Sequence, residues 1–364
     1  MRHIWRRDRR GHWPRRFAAG SCLVGCASLL TLVLPGTANA SVLTLTGIRT
    51  AATAARALGS GVTAAAVVPT PAPPPRVPDP TDSSGKPDRM AQPDLPGSGP
   101  SVGVPVPSGW TSTVQQVQSG VLLRDYVVVR PTVAGSEPLP VLVVLHGHGM
   151  TPAGVARVSA FLPIVGRAVM VYPAGFGQSW NAGACCGLAR AAGVDDVAFL
   201  STVVHDVLAS VPGTSAQNVY LAGFSNGGRM AYRMACADPG LFAGVAAVEA
   251  VPAPACTPPR PVSIAIVAYQ DDPYVSVSAQ QPTQVVRGMD EPRVDTVVAE
   301  WRMADGCLGT PTVKVVGTAL ISLSSDCQNQ TQVQYALYAG GGHRWPAGDL
   351  GTPSASRLIW SFFH

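Results

Sequence analysis

The chain has 364 residues, 46% of them hydrophobic and 13% charged, with a formal net charge of +5. Arg2, Arg6, Arg7, Arg9, Arg10, Arg15 and Arg16 against Asp8 put +6 within the first forty residues, which leaves the remainder near −1. Over the body of the chain this excludes the basic footprint of a nucleic-acid partner.

The arginine-rich start runs into the uncharged apolar stretch Phe17–Pro35 and then Ala38-Asn39-Ala40, a small-x-small cleavage site. Residues 1–40 therefore read as a secretory signal peptide and the mature protein as exported, with no stable membrane insertion after cleavage. Leu23-Val24-Gly25-Cys26 also fits a lipobox, so lipid anchoring through Cys26 is a minor alternative, and Phe17–Pro35 is nearly long enough to serve as an uncleaved anchor. Residues 41–68 are rich in Ala, Thr and Val. From Pro69 to Pro107 the chain is dense in Pro, Gly, Ser and Asp. Residues 41–107 thus form a low-complexity linker, expected to be disordered because such a composition buries no core. Residues 108–364 make one domain-sized block.

Within that block, strand-like runs recur at Asp125–Arg130, Val141–Leu145, Ala168–Tyr172, Val219–Ala222, Gly244–Val248, Ser263–Ala268 and Val333–Tyr338. Several are unbroken apolar runs, as expected of strands covered on both faces of a parallel sheet. Helical patterns lie between them, with Val197, Leu200, Val204, Val207 and Leu208 marking Asp195–Leu208, and Thr352–Phe363 closing the chain. The alternation predicts an α/β domain with a mostly parallel central sheet flanked by helices. Cleavage of the leader leaves Cys185, Cys186, Cys236, Cys256, Cys307 and Cys327, an even number that predicts disulfides in an exported protein. Cys307 and Cys327 flank one short segment and are expected to pair. Cys185 and Cys186 would then reach Cys236 and Cys256.

The most informative stretch is Gly223-Phe224-Ser225-Asn226-Gly227-Gly228, between the apolar run Val219-Tyr220-Leu221-Ala222 and the helix-forming Arg229–Ala235. In a chain with 38 glycines the box could be a chance loop match. The strand before it and helix behind it argue instead for a tight elbow that lifts the Ser225 hydroxyl clear of the sheet. A serine hydroxyl needs a base, and the base needs an orienting carboxylate. His343 follows a strand within Gly340-Gly341-Gly342-His343-Arg344-Trp345-Pro346 and is the expected base; His364 is the last residue. The carboxylate should end the strand before it, where Asp271 and Asp272 both stand; Asp272, just ahead of Pro273, is the first choice and Asp271 the other. Ser, acid, His is the chain order of α/β-hydrolases. Backbone N–H groups of Asn226 and of His148, in Leu145-His146-Gly147-His148-Gly149, are the expected oxyanion donors. His146-x-His148 could also be read as two zinc ligands, but no further His/Cys cluster completes such a site, so neither metal nor cofactor is expected.

With these parts in place, residues 108–364 resemble secreted polyhydroxybutyrate depolymerases and the related feruloyl and acetyl-xylan esterases. The match runs through Arg124-Asp125-Tyr126, Leu145-His146-Gly147, Tyr172-Pro173 and Trp180-Asn181-Ala182-Gly183-Ala184-Cys185-Cys186-Gly187. It continues through Asp195-Asp196-Val197-Ala198-Phe199-Leu200, the serine box and Gly342-His343-Arg344-Trp345-Pro346. Those esterases carry His-Gly-Thr ahead of the acid where this chain has Ala268-Tyr269-Gln270, which keeps Asp271 and Asp272 both open. The resemblance implies a single α/β-hydrolase catalytic domain with Ser225, Asp272 and His343 as triad, and Trp180, Asn181 and Trp345 near a substrate pocket. It also implies a small-molecule or polymeric ester as partner. Acyl transfer to a cell-envelope acceptor is a further activity the fold hosts.

Overall fold

A computed structural model describes residues 103–364 apart from 134, 136, 282–284, 287 and 288. The predicted leader, the Cys26 lipobox and most of the linker lie outside the described residues. The folded region reaches back a few residues beyond the predicted boundary at 108, because Val104 is buried in the core.

The strands are β1 (Trp110–Ser119), β2 (Leu122–Pro131), β3 (Leu139–Leu145), β4 (Val169–Pro173), β5 (Thr214–Phe224), β6 (Gly244–Val248) and β7 (Ile264–Tyr269). Two two-residue strands, β8 (Val285–Val286) and β9 (Met289–Asp290), pair with each other. They are followed by β10 (Thr312–Val316), β11 (Ala319–Ser324) and β12 (Val333–Tyr338). The main sheet has the order β1-β2-β4-β3-β5-β6-β7-β12-β11-β10. Its centre, from β4 through β3, β5, β6 and β7 to β12, is parallel, and both ends are antiparallel. The helices are α1 (Pro152–Ser159), α2 (Gly187–Ala191), α3 (Asp196–Ser210), α4 (Asn226–Ala237), α5 (Val294–Ala304) and α6 (Ala355–Phe363).

The unbroken apolar runs are explained by burial on both faces. Along β3, Val141, Val143 and Leu145 join one core with residues of α3, α4 and α5, while Leu142 and Val144 join a second core with residues of α1 and α6. All five are fully buried. The sheet therefore has helices on both sides, and the C-terminal ends of β5, β6 and β7 converge on one rim, where ligands bind in open α/β sheets.

Some elements differ from expectation. The closing helix begins at Ala355 rather than Thr352, because Ser354 caps it by accepting from the Arg357 N–H at 3.2 Å. β1 and β10 carry no continuous apolar run; they are edge strands with mostly exposed residues. The disulfides also differ in part. Cys307–Cys327 pairs as expected, but Cys236 bonds Cys256, and Cys185 bonds its neighbour Cys186, so neither of the latter two reaches Cys236 or Cys256. Among the described residues no helix is long and apolar enough to cross a membrane.

One buried ion pair ties the antiparallel edge to the helical layer. Arg124 on β2 donates to Asp196 at the start of α3 at 2.6 Å, and its guanidinium lies 3.7 Å from the Phe199 ring centre. Asp196 also accepts from the Asn181 N–H at 2.6 Å. Neither charge has water to fall back on, since their side chains are 5% and 0% exposed. Arg124→Met leaves Asp196 buried without its partner, so stability is expected to fall by about 3–5 kcal/mol, read from urea unfolding. A loss below roughly 1 kcal/mol, the scale of an exposed pair, would count against this account.

Candidate active site

Ser225 sits between the end of β5 and the first turn of α4 with φ 52° and ψ −118°, a conformation L-residues rarely adopt. The box glycines make that elbow possible. A Cβ on Gly223 would lie 2.1 Å from the Gly227 carbonyl oxygen, and one on Gly227 would lie 2.5 Å from that of His146. The Ser225 N–H is anchored to the Val248 carbonyl at 2.9 Å, which fixes the elbow against β6.

The loop after β12 brings His343 to this serine. His343 Nε2 lies 2.7 Å from Ser225 Oγ, and its Nδ1 lies 2.6 Å from Asp272 Oδ2. With Nδ1–H donating to the carboxylate, Nε2 is the acceptor for the serine hydroxyl. The imidazole is held between Phe224, at 5.3 Å between ring centres, and the edge of Tyr274 at 5.0 Å. Asp272 follows β7, and its other oxygen accepts the backbone N–H groups of Tyr274 at 2.7 Å and Val275 at 3.1 Å. Burial pushes the Asp272 carboxyl upward, but the hydrogen bonds from His343, Glu249 and Tyr274 outweigh it and leave the group below its ordinary value.

The adjacent Asp271 is exposed and does something else. Its Oδ1 accepts the N–H groups of Gly341 at 2.8 Å and Gly342 at 2.9 Å, so it holds the loop that carries His343. Those two bonds depress the Asp271 carboxyl. Of the two aspartates left open by the sequence, Asp272 is the one that contacts the histidine.

The elements expected to supply the oxyanion donors are joined by Trp180. Its indole N–H donates to the His146 carbonyl at 2.8 Å, while its backbone N–H and carbonyl bond the Asn226 side chain at 2.7 and 3.0 Å. Asn226 opens α4, where a first-turn N–H has no intrahelical acceptor. His148 is exposed on the loop after β3. Its neighbour His146 is buried and uses both ring nitrogens, Nδ1 towards the Gly147 carbonyl at 2.8 Å and Nε2 as acceptor from the Gly175 N–H at 3.0 Å. Burial lowers its pKa to about 4, so it is neutral. With both nitrogens engaged, His146 cannot serve with His148 as a zinc ligand.

Trp180 and Trp345, expected near the pocket, are both core residues. Trp180 is completely buried and its indole N–H holds the His146 carbonyl on the loop after β3. Trp345 is 4% exposed, packs on Phe161 and Phe224, and donates its indole N–H to Ser356 at 2.9 Å. Both are large indoles consumed by the core, each with its N–H satisfied inside. Asn181 does border a cleft of about 440 Å³, with Arg229, Arg233 and the Cys236–Cys256 bridge, although neither Ser225 nor His343 lines it. The structure also adds Glu249, a buried carboxyl beside Asp272 that the sequence did not single out. Trp180→Phe removes the donor to the His146 carbonyl while leaving an aromatic ring in place. Turnover of an activated ester is expected to drop about tenfold through loosened oxyanion geometry, with KM little changed. A rise in KM with unchanged kcat would instead put Trp180 in substrate binding.

No protein-family model matches the sequence. A Nocardia uniformis subsp. tsuyamanensis protein named "Putative esterase NocK" is 28% identical over 233 residues, covering 58% of this chain and 67% of that one. Among solved structures, acetyl xylan esterase from Aspergillus awamori superposes with a TM-score of 0.50 at 15% identity, over 69% of this chain and 98% of that one. That likeness identifies the α/β-hydrolase fold. A ferulic acid esterase from Anaeromyces mucronatus matches 72% of this chain and 96% of its own at 16% identity, with a TM-score of 0.43.

Proposed function

We propose that this α/β-hydrolase is an exported serine esterase that cleaves carboxylic esters, with Ser225 as nucleophile, His343 as general base and then acid, and Asp272 as the orienting carboxylate. The observation that carries the reading is the unbroken chain from Ser225 Oγ to His343 Nε2 at 2.7 Å and from His343 Nδ1 to Asp272 at 2.6 Å. As Ser225 Oγ bonds to the ester carbonyl carbon, its proton passes to Nε2, and the buried Asp272 carboxylate stabilises the imidazolium. The carbonyl oxygen takes the negative charge towards the backbone N–H groups of Asn226 and His148. Collapse breaks the ester C–O bond, His343 returns its proton to the departing alkoxide, and an acyl-Ser225 remains. Water, deprotonated by His343, then releases the carboxylic acid and restores the serine.

The arginine-rich leader and the six cysteines beyond it support action outside the cytoplasm. The motifs shared with polyhydroxybutyrate depolymerases and with feruloyl and acetyl-xylan esterases support a hydroxyacyl ester as first reading, with feruloyl or acetyl sugar esters as alternative. The test is hydrolysis of a 4-nitrophenyl acyl ester with labelling of Ser225 by a fluorophosphonate, followed by a panel of hydroxybutyrate oligomers, feruloyl sugars and acetylated xylan. Unlabelled Ser225 would end the serine-hydrolase reading. The ranking across the panel decides the acyl group.

A further inference from the structure

Glu249 is the residue after β6, 1% exposed and at φ 49°, a strained backbone position for a non-glycine residue. Its N–H donates to the Val267 carbonyl at 2.9 Å, and its Oε1 accepts the Tyr269 N–H at 2.8 Å. Oε2 is buried, and among the described residues no N–H or hydroxyl group donates to it. One oxygen of Glu249, one of Asp272 and one ring nitrogen of His343 all lie within 4.8 Å of one another.

Two buried carboxyls this close cannot both be ionised at modest cost. Asp272 already receives two backbone N–H groups and the imidazole N–H, a donor set that favours its charged form. Glu249 receives a single N–H and keeps a bare buried oxygen, which as a carboxylate would carry the full desolvation penalty. The shared proton therefore belongs on Glu249. Besides Asp272 and His343, the titratable groups that act on Glu249 are Asp271, Tyr269 and Tyr335, and none of these three is a cation. Burial first, and then Asp272 through hydrogen bond and charge, push the Glu249 carboxyl well above its ordinary range.

We propose that Glu249 is a positioning residue for the esterase site, a neutral carboxyl whose proton is donated to Asp272, fixing the carboxylate that orients His343. The inference rests on the Ser225–His343–Asp272 reading. Glu249 does not touch substrate; it acts by limiting Asp272 to the orientation in which one oxygen faces Nδ1. A glutamine at this position keeps the size and supplies an N–H donor, whereas leucine keeps bulk and supplies none.

The experiment compares wild type, Glu249→Gln and Glu249→Leu, each first shown to label with fluorophosphonate at Ser225, by kcat, KM and the acidic limb of the kcat/KM profile on 4-nitrophenyl acetate. Loss of labelling in the wild type would be a failure of the serine-esterase reading itself, separate from this test. In Glu249→Leu, kcat is expected to fall more than tenfold with KM little changed. Glu249→Gln is expected to restore most of that rate with the acidic limb where it stands in wild type. Infrared difference spectra at neutral pH should contain a protonated-carboxyl band that disappears in Glu249→Gln, a readout that holds even if the leucine variant does not fold. An acidic limb moved to lower pH by about one unit in Glu249→Gln would reveal a removed negative charge and overturn the proposal. Wild-type kcat in Glu249→Leu, or absence of the protonated-carboxyl band, would overturn it equally.

Discussion

Ser225→Ala is expected to lower kcat on an activated ester by roughly 10⁴-fold or more, because the covalent route disappears with the hydroxyl. What survives would come from the oxyanion donors and substrate binding alone. The fold should be unaffected. The strained elbow at φ 52° is made possible by the close backbone approaches at Gly223 and Gly227 and held by the Ser225 N–H bond to the Val248 carbonyl, none of which involves the serine side chain. The thermal midpoint should therefore stay close to wild type, so that lost turnover cannot be blamed on lost structure. The two measurements belong together, turnover of 4-nitrophenyl acetate and a thermal unfolding curve. Turnover above a hundredth of wild type would mean that another group attacks the carbonyl, and the assignment of Ser225 would fall.

How far the site could be read in advance depended on whether the contacts were local. The elbow is local: strand, glycine, serine, glycine and helix lie within a dozen residues, and their steric logic is visible in the chain itself. The order of Ser225, the aspartate pair and His343 was also legible, because the fold places them on successive loops at one rim. The choice between Asp271 and Asp272 was not. Adjacent residues in one turn face different ways, and only the paths of the neighbouring chains assign one to His343 and the other to the Gly341 and Gly342 amides. Glu249 was invisible for a related reason. It lies far from Asp272 in sequence, and the two meet because parallel β6 and β7 end side by side. The parts played by Trp180 and Trp345 were not legible, because a sequence motif does not say whether an indole lines a pocket or fills the core; here both rings fill core volume and bond internal acceptors. Edge strands β1 and β10 are not legible in the sequence, because most of their residues meet water and no apolar run announces them.

The aspartate pair offers the sharpest contrast between neighbours. Asp272→Asn is expected to cost about 10³–10⁴-fold in kcat. The amide can present an N–H to Nδ1, which favours the wrong imidazole tautomer, and it no longer offers a negative charge to the imidazolium. Asp271→Asn should stay within a few-fold of wild type, since an amide oxygen can still accept the Gly341 and Gly342 N–H groups at an exposed site. Acid stability should separate the two residues from the rest of the chain as well. Both carboxyls are depressed in the fold, so each contributes stability that is present above the ordinary carboxylate value of about 4 and is lost as pH falls through the folded value. Asn at either position removes that contribution, and the difference from wild type should be largest near neutrality and shrink in acid. Equal losses of kcat in the two variants would place the orienting charge on the pair rather than on Asp272. A large loss in Asp271→Asn alone would reverse the assignment.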